Sequence, residues 1–140
     1  MSGDCLLGWG TTLIGMRDAI NPDGAVAVGP YSSAIRSDGH LFCSGQTPID
    51  PATGKLVEGD VGAQTRQCFA NLFAVLEACG ASPAEVVKVN VFLTDMADFE
   101  AMNAAYAEQF TKPFPARTTI GVAGLPLGAS VEIELIARAD

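Results

Sequence analysis

The chain is poor in basic residues and in histidine. Eight Lys and Arg against 16 Asp and Glu leave a formal charge of −8, the wrong sign for a protein that draws its affinity from neutralising phosphates. General nucleic-acid binding is disfavoured, and only a local basic pocket stays open. The one histidine, His40, follows an Asp-Gly turn signal, which excludes His-cluster metal sites and leaves a Ser-His-Asp triad a single candidate base. Cys5, Cys43, Cys68 and Cys79 form no C-x-x-C pair, so neither a zinc site nor a secreted disulfide framework is indicated. No apolar run reaches the roughly 20 residues that span a bilayer. The short apolar run in MSGDCLLGWGTTLIGMRD lacks the preceding positive charge of a signal peptide. A cytoplasmic protein is the expectation. Phosphate-loop, dinucleotide-binding and nucleophile-elbow signatures are missing too, which removes the anchors for nucleotide-binding and α/β-hydrolase readings.

What is present suits one globular domain. The 140 residues are 49% hydrophobic and only 17% charged, below the usual charged share of about 25%. Such a surface suggests cover by other subunits. Residues 1 to 15 show neither helix nor strand period and read as an N-terminal extension, with the organised domain spanning 16 to 140.

Tyr31 to Arg36 and Leu41 to Ser44 flank the Ser37-Asp38-Gly39-His40 turn and predict a β-hairpin. GQTPIDPATGK from Gly45 is a loop by its turn chemistry, and Asp60 can cap a helix running to about Cys79, where Phe69, Leu72, Phe73 and Leu76 share one face. Ser82-Pro83-Ala84-Glu85 has the capping-box pattern. Residues 87, 89, 91 and 93 alternate with Lys88, Asn90, Phe92 and Thr94 as in a half-buried strand, and Phe99, Met102, Tyr106 and Phe110 return to helical spacing. Arg117 to Val122 and Ser130 to Arg138 are extended, with Val131, Ile133, Leu135 and Ala137 opposite Glu132, Glu134 and Ile136. The expected fold is α+β, in the order β-β-α-β-α-β-β, with both helices on one sheet face. Packing sheet against sheet would cover the other face and close a cyclic oligomer, with clefts between subunits.

Five polar residues stand out at strand, loop and helix positions: Tyr31, Ser44, Asn103, Arg117 and Glu132. Prolines just ahead of Arg117 fix the backbone that delivers it, and its guanidinium suits a carboxylate in bidentate geometry. The plainer alternative is a structural ion pair with Glu132 or Glu134. Glu132 alternates with apolar neighbours, so burial should raise its pKa and suit it to proton transfer near neutral pH. Its plainer alternative is an edge-strand charge that deters aggregation. Tyr31 as a half-buried core residue, Ser44 as a turn hydroxyl and Asn103 as a surface amide are the corresponding bland readings.

The segments Gly29-Pro30-Tyr31-Ser32, Ser44-Gly45-Gln46-Thr47-Pro48, Val91-Phe92-Leu93-Thr94-Asp95, Asn103-Ala104-Ala105-Tyr106, Phe114-Pro115-Ala116-Arg117-Thr118 and Val131-Glu132-Ile133-Glu134 resemble, in order and spacing, the RidA/YjgF family, also labelled the L-PSP endoribonuclease family. The resemblance runs from about Ala19 to Ala139. It implies a chorismate-mutase-like fold, two helices on a mixed sheet, and a homotrimer whose sheets form a central barrel with sites at the subunit interfaces. It implies hydrolytic deamination of reactive 2-imino and enamine acids to 2-keto acids and ammonia, as in a 2-iminobutanoate/2-iminopropanoate deaminase, with no cofactor and no metal. By the same resemblance, Arg117 grips the substrate carboxylate and Glu132 places the attacking water. Tyr31, Ser44, Asn103 and Thr119 match substrate-binding positions. Many members have cysteine where this chain has Thr119: threonine is tolerated there if the position contributes mainly backbone groups, and activity or substrate range changes if the thiol matters.

Two other functions compete. A non-catalytic module binding 2-keto acids or other small carboxylates would use Arg117 equally well. An endoribonuclease of the L-PSP type is set back by the −8 charge and the lack of a histidine pair.

Overall fold

The computed structural model describes residues 17–22 and 29–139. The Asp38-Gly39 signal forms a two-residue hairpin: Ser37 pairs with His40, and both central residues have positive φ, 51° and 75°, as a type I′ turn requires. It joins β2 (Ala34–Ser37) to β3 (His40–Gln46). A further strand, β1 (Asp18–Ile20), not expected from the sequence, pairs with β2. The Gly45–Lys55 stretch is not wholly loop. β3 runs into it, and β4 (Ile49–Asp50) and β5 (Lys55–Leu56) make a small second sheet.

Asp60 caps α1 (Val61–Ala78) by accepting a hydrogen bond from the Ala63 amide, satisfying one otherwise unpaired donor of the first turn. The Glu85 carboxylate accepts from the Ser82 amide and hydroxyl and closes the capping box before β6 (Val86–Leu93). The second long helix is shorter than its apolar spacing suggests. A 3₁₀ turn occupies Met96–Asp98, and α2 proper is Phe99–Ala107. The chain then enters β7 (Ala116–Gly121) and β8 (Val131–Arg138).

The main sheet has the order β1-β2-β3-β8-β6-β7, antiparallel throughout except for parallel β6 and β7. Val131, Ile133, Leu135 and Ala137 face α1 and α2 together with Val89, Val91, Leu93, Leu41 and Cys43, and all are buried. The fold and the one-sided placement of the helices are as expected. One strand position is not: Val87 is exposed while Val86 is buried, because the β6–β8 register shifts between Val86 and Lys88. A bulge inserts one residue and reverses the pleat for everything before it. The opposite sheet face carries Ile35, Phe42, Phe92, Ile120 and Ile136 among polar residues, with Phe42 and Ile120 exposed.

Candidate active site

Arg117 lies on edge strand β7 in register with Val89, so it shares the helix-covered face. Its guanidinium carbon stands 4.7 Å from the centroid of the Tyr106 ring and 5.6 Å from that of Phe99, within cation–π range. Phe99, Asn103 and Tyr106 fall at i, i+4 and i+7, one stripe of α2. Thr119 follows Arg117 by one pleat period, on the same face and level with Val91. The Asn103 side-chain Oδ1, the Tyr106 hydroxyl and the Thr119 hydroxyl are all buried without a hydrogen-bond partner among the described residues. Such atoms are costly to leave unsatisfied, and here they cluster in sequence around the arginine's own stripe and strand. Burial raises the Tyr106 pKa, and the charge on Arg117 opposes part of that rise.

Glu132 occupies the other face. It pairs with Phe92 on β6 and lies between the buried Val131 and Ile133. β8 is an interior strand between β3 and β6, so the edge-strand reading of Glu132 is wrong. The charge sits in mid-sheet because β8, last in sequence, is inserted between earlier strands. Half-burial raises its pKa, and the neighbouring Glu134 charge adds to the rise. This is the direction expected from the sequence. Glu134 itself accepts a hydrogen bond from the Asn90 side-chain Nδ2 at 2.9 Å.

The Glu132 carboxylate is seated by a glycine that the sequence offered only as turn chemistry. On β3 the register slips between Cys43 and Gln46, so Ser44 and Gly45 stand together where one residue is due. A Cβ built on Gly45 would collide with Glu132 Oε2, so any side chain there would push that carboxylate from its place. Ser44 donates its hydroxyl to the Ser32 carbonyl at 2.6 Å, and its amide donates to the Ser33 carbonyl at 2.9 Å. These bonds tie the segment that carries the exposed Tyr31 to the bulge. Neither the bulge nor the bracket of Phe99 and Tyr106 has a sequence signal. The helical spacing that marked both aromatics as core was correct but silent about the arginine.

Arg117 forms no ion pair with Glu132 or Glu134 among the described residues. The structural ion-pair reading of Arg117 therefore fails, because the pleat points these groups away from one another. Glu132 is level with Phe92 and Ile120, three residues along β7 from Arg117, and β6 intervenes. Standard strand spacings place the two Cα atoms about 14 Å apart. One chain therefore presents the candidate residues as two separate groups. Arg117, Thr119 and Asn103 belong to the helix-side edge, and Glu132, Ser44 and the Tyr31 segment to the open face and its rim. A cavity of about 540 Å³, lined by Pro83, Val87, Phe110, Phe114 and neighbours, contains none of these residues. No group of three or more His, Cys, Asp or Glu side chains poised for a metal occurs among the described residues.

The family model for endoribonuclease L-PSP matches residues 22–139. A RutC family protein of Pyrococcus horikoshii is 51% identical over 110 residues, 79% of this chain and 87% of its own length. A 2-iminobutanoate/2-iminopropanoate deaminase of Dermatophagoides farinae is 45% identical over 109 residues, 78% of this chain and 85% of its own. The chloroplastic Reactive Intermediate Deaminase A of Arabidopsis thaliana is 47% identical over 111 residues, 79% of this chain and 59% of its own. Among solved structures, the YjgF gene product of E. coli superposes with a TM-score of 0.81 at 39% identity, covering 87% of this chain and 98% of that one. E. coli TdcF with bound serine superposes with a TM-score of 0.80 at 35% identity, with the same coverage.

Proposed function

This chain belongs to the endoribonuclease L-PSP family, and from that premise we propose that it hydrolyses 2-imino acids and their enamine tautomers to 2-keto acids and ammonia. The observation that carries the proposal is the Arg117 guanidinium, free of any carboxylate among the described residues and seated on aromatic rings. A cation held in this way accepts a planar carboxylate through its N–H edges. The named deaminases among the relatives support the reaction class, and TdcF with bound serine supports a small amino-acid-like ligand.

In this reading the assembly is a homotrimer, and each site joins Arg117, Asn103 and Thr119 of one subunit to Glu132, Ser44 and Tyr31 of its neighbour. The opposed faces of the two half-sites support that arrangement, as does the apolar open face of the sheet. Arg117 and Glu132 are the catalytic pair, and Tyr31, Ser44, Asn103 and Thr119 line the pocket. An imine carbon is already electrophilic, so the protein has to orient it, place a water and move protons. Glu132 as carboxylate holds the water and takes its proton while oxygen bonds to carbon and the C=N electron pair shifts to nitrogen. The same proton goes to that nitrogen. Glu132 then takes the hydroxyl proton and passes it to the amine nitrogen, so that C=O reforms as the C–N bond breaks and ammonia leaves. The balance needs only water and no cofactor. Among the described residues no helix is long and apolar enough to cross a membrane, and with a chloroplastic protein among the relatives the cytoplasmic setting is part of this proposal.

The test is release of ammonia and keto acid from imines generated in situ by an amino-acid oxidase or dehydratase. Wild type should accelerate release, and Arg117→Ala and Glu132→Ala should each lose at least about 100-fold in kcat/KM. No acceleration over buffer with any small imino acid overturns the reading. Saturable 2-keto acid binding without turnover would instead make the protein a carboxylate-binding regulator, and RNA cleavage lost in Arg117→Ala would make it a nuclease.

A further inference from the structure

Arg117 is an edge-strand residue whose neighbours along β7 are largely exposed, yet its guanidinium is seated on side chains rooted in the core. Tyr106 is 5% exposed. Its ring meets Phe69 edge-on at 5.5 Å and Phe110 at 5.3 Å, and Phe69 and Phe110 each pack on Phe73 at 5.5 and 5.9 Å. Three interlocked phenylalanine rings therefore fix the plane of Tyr106, and Phe99 adds a second ring beside the same guanidinium carbon. Rotamers locked by this packing cannot follow the arginine; the arginine must settle on them.

We propose that Tyr106, with Phe99, is a positioning residue that holds Arg117 in the orientation needed to grip a carboxylate. The chemistry follows from the guanidinium's shape. Its flat faces are weakly hydrated and stack on aromatic rings, whereas all of its donors lie in its plane. In the proposed arrangement a face of the guanidinium meets Tyr106 and the N–H fork stays free, so the arginine meets a carboxylate already oriented instead of losing its rotamer freedom on binding. The ring performs this task, not the hydroxyl. The inference rests on the carboxylate-binding reading of Arg117.

The test uses the full chain in its native assembly and two readouts. The first is binding of pyruvate by calorimetry, beside KM and kcat for an imine generated in situ. Tyr106→Leu should weaken pyruvate binding and raise KM about tenfold, with kcat changed less than about threefold, because a carboxylate grip is shared by ground and transition states. Tyr106→Phe, which keeps the ring, should recover the wild-type affinity. The second readout is the side-chain Nε–H proton of Arg117 by NMR, assigned by its loss in Arg117→Lys. A ring-current upfield shift is expected in wild type and Tyr106→Phe, and should be lost in Tyr106→Leu. Equal weakening in Tyr106→Phe and Tyr106→Leu overturns the proposal, as does pyruvate affinity in Tyr106→Leu within twofold of wild type. If Tyr106→Leu does not fold, Phe99→Leu and the wild-type Nε–H shift decide: an unshifted proton refutes the stacking. A shifted proton in a wild type that neither binds pyruvate nor hydrolyses imines would instead reject the functional reading and leave the stack standing.

Discussion

The two half-sites are built in opposite ways. The arginine half draws its order from the hydrophobic core, through an aromatic cluster that reaches Arg117 by way of Tyr106. The glutamate half draws its order from backbone irregularity, a bulge at Ser44 and Gly45 that clears space for a carboxylate. A cation tolerates an apolar seat because its faces stack well on rings, whereas a carboxylate has only acceptor edges and needs room and donors. The comparison teaches that one sheet presents one residue of each kind on two faces, which in the proposed reading requires a second subunit to unite them.

The sharpest way to break that comparison is to separate its halves genetically. Arg117→Ala and Glu132→Ala should each be nearly inactive alone. Co-refolded in equal amounts, they should regain activity approaching a quarter of wild type, the share of interfaces that unite an intact Arg117 with an intact Glu132 in a heterologous ring. Mixtures no more active than either variant would place both residues in one subunit's site. Next in size is Gly45→Ala, whose Cβ must displace the Glu132 carboxylate. We expect kcat to fall about tenfold or more, with pyruvate affinity retained because the arginine half is untouched. A loss confined to affinity would contradict the separation.

Smaller effects follow from titration. Burial and then the Glu134 charge raise the Glu132 pKa, so the acid limb of the rate profile should lie above the ordinary glutamate range. Glu134→Gln should move it to lower pH, and an unmoved limb would assign it to another group. The sign for stability is the reverse of a salt-bridged carboxylate. The folded state holds the Glu132 proton more tightly than the unfolded one, so stability falls as pH rises from the ordinary glutamate value through the raised one. Glu132→Gln should flatten that slope in urea titrations at several pH values. Asp60→Ala should have the smallest consequence for the site: loss of the cap to the Ala63 amide costs about 1 kcal/mol and leaves kcat unchanged.

Much of the fold was legible because its signals are local. The Asp38-Gly39 turn, the Asp60 cap, the capping box at Ser82 and Glu85 and the alternation of Val131 to Ala137 each depend on neighbours within a few residues, and all are present. The exceptions are also instructive. Val87 was assigned to the buried side because alternation presumes an uninterrupted ladder, and the bulge that exposes it depends on pairing with β8. β1 and the β4–β5 hairpin are too short for a period to show.

The sequence by itself determined which side chains could do chemistry: an arginine delivered by prolines, a glutamate among valine and isoleucine, few cations elsewhere and one histidine. It also set Glu132 on the sheet face opposite Val131 and Ile133, since strand alternation acts at a range of two residues. Only the tertiary structure decided that Arg117 and Glu132 face apart, that Arg117 rests on Tyr106 and Phe99, and that Gly45 makes room for Glu132. Those facts depend on strand order and register. Both are set by contacts between residues distant in sequence, where a shift of one residue exchanges the faces of a whole strand.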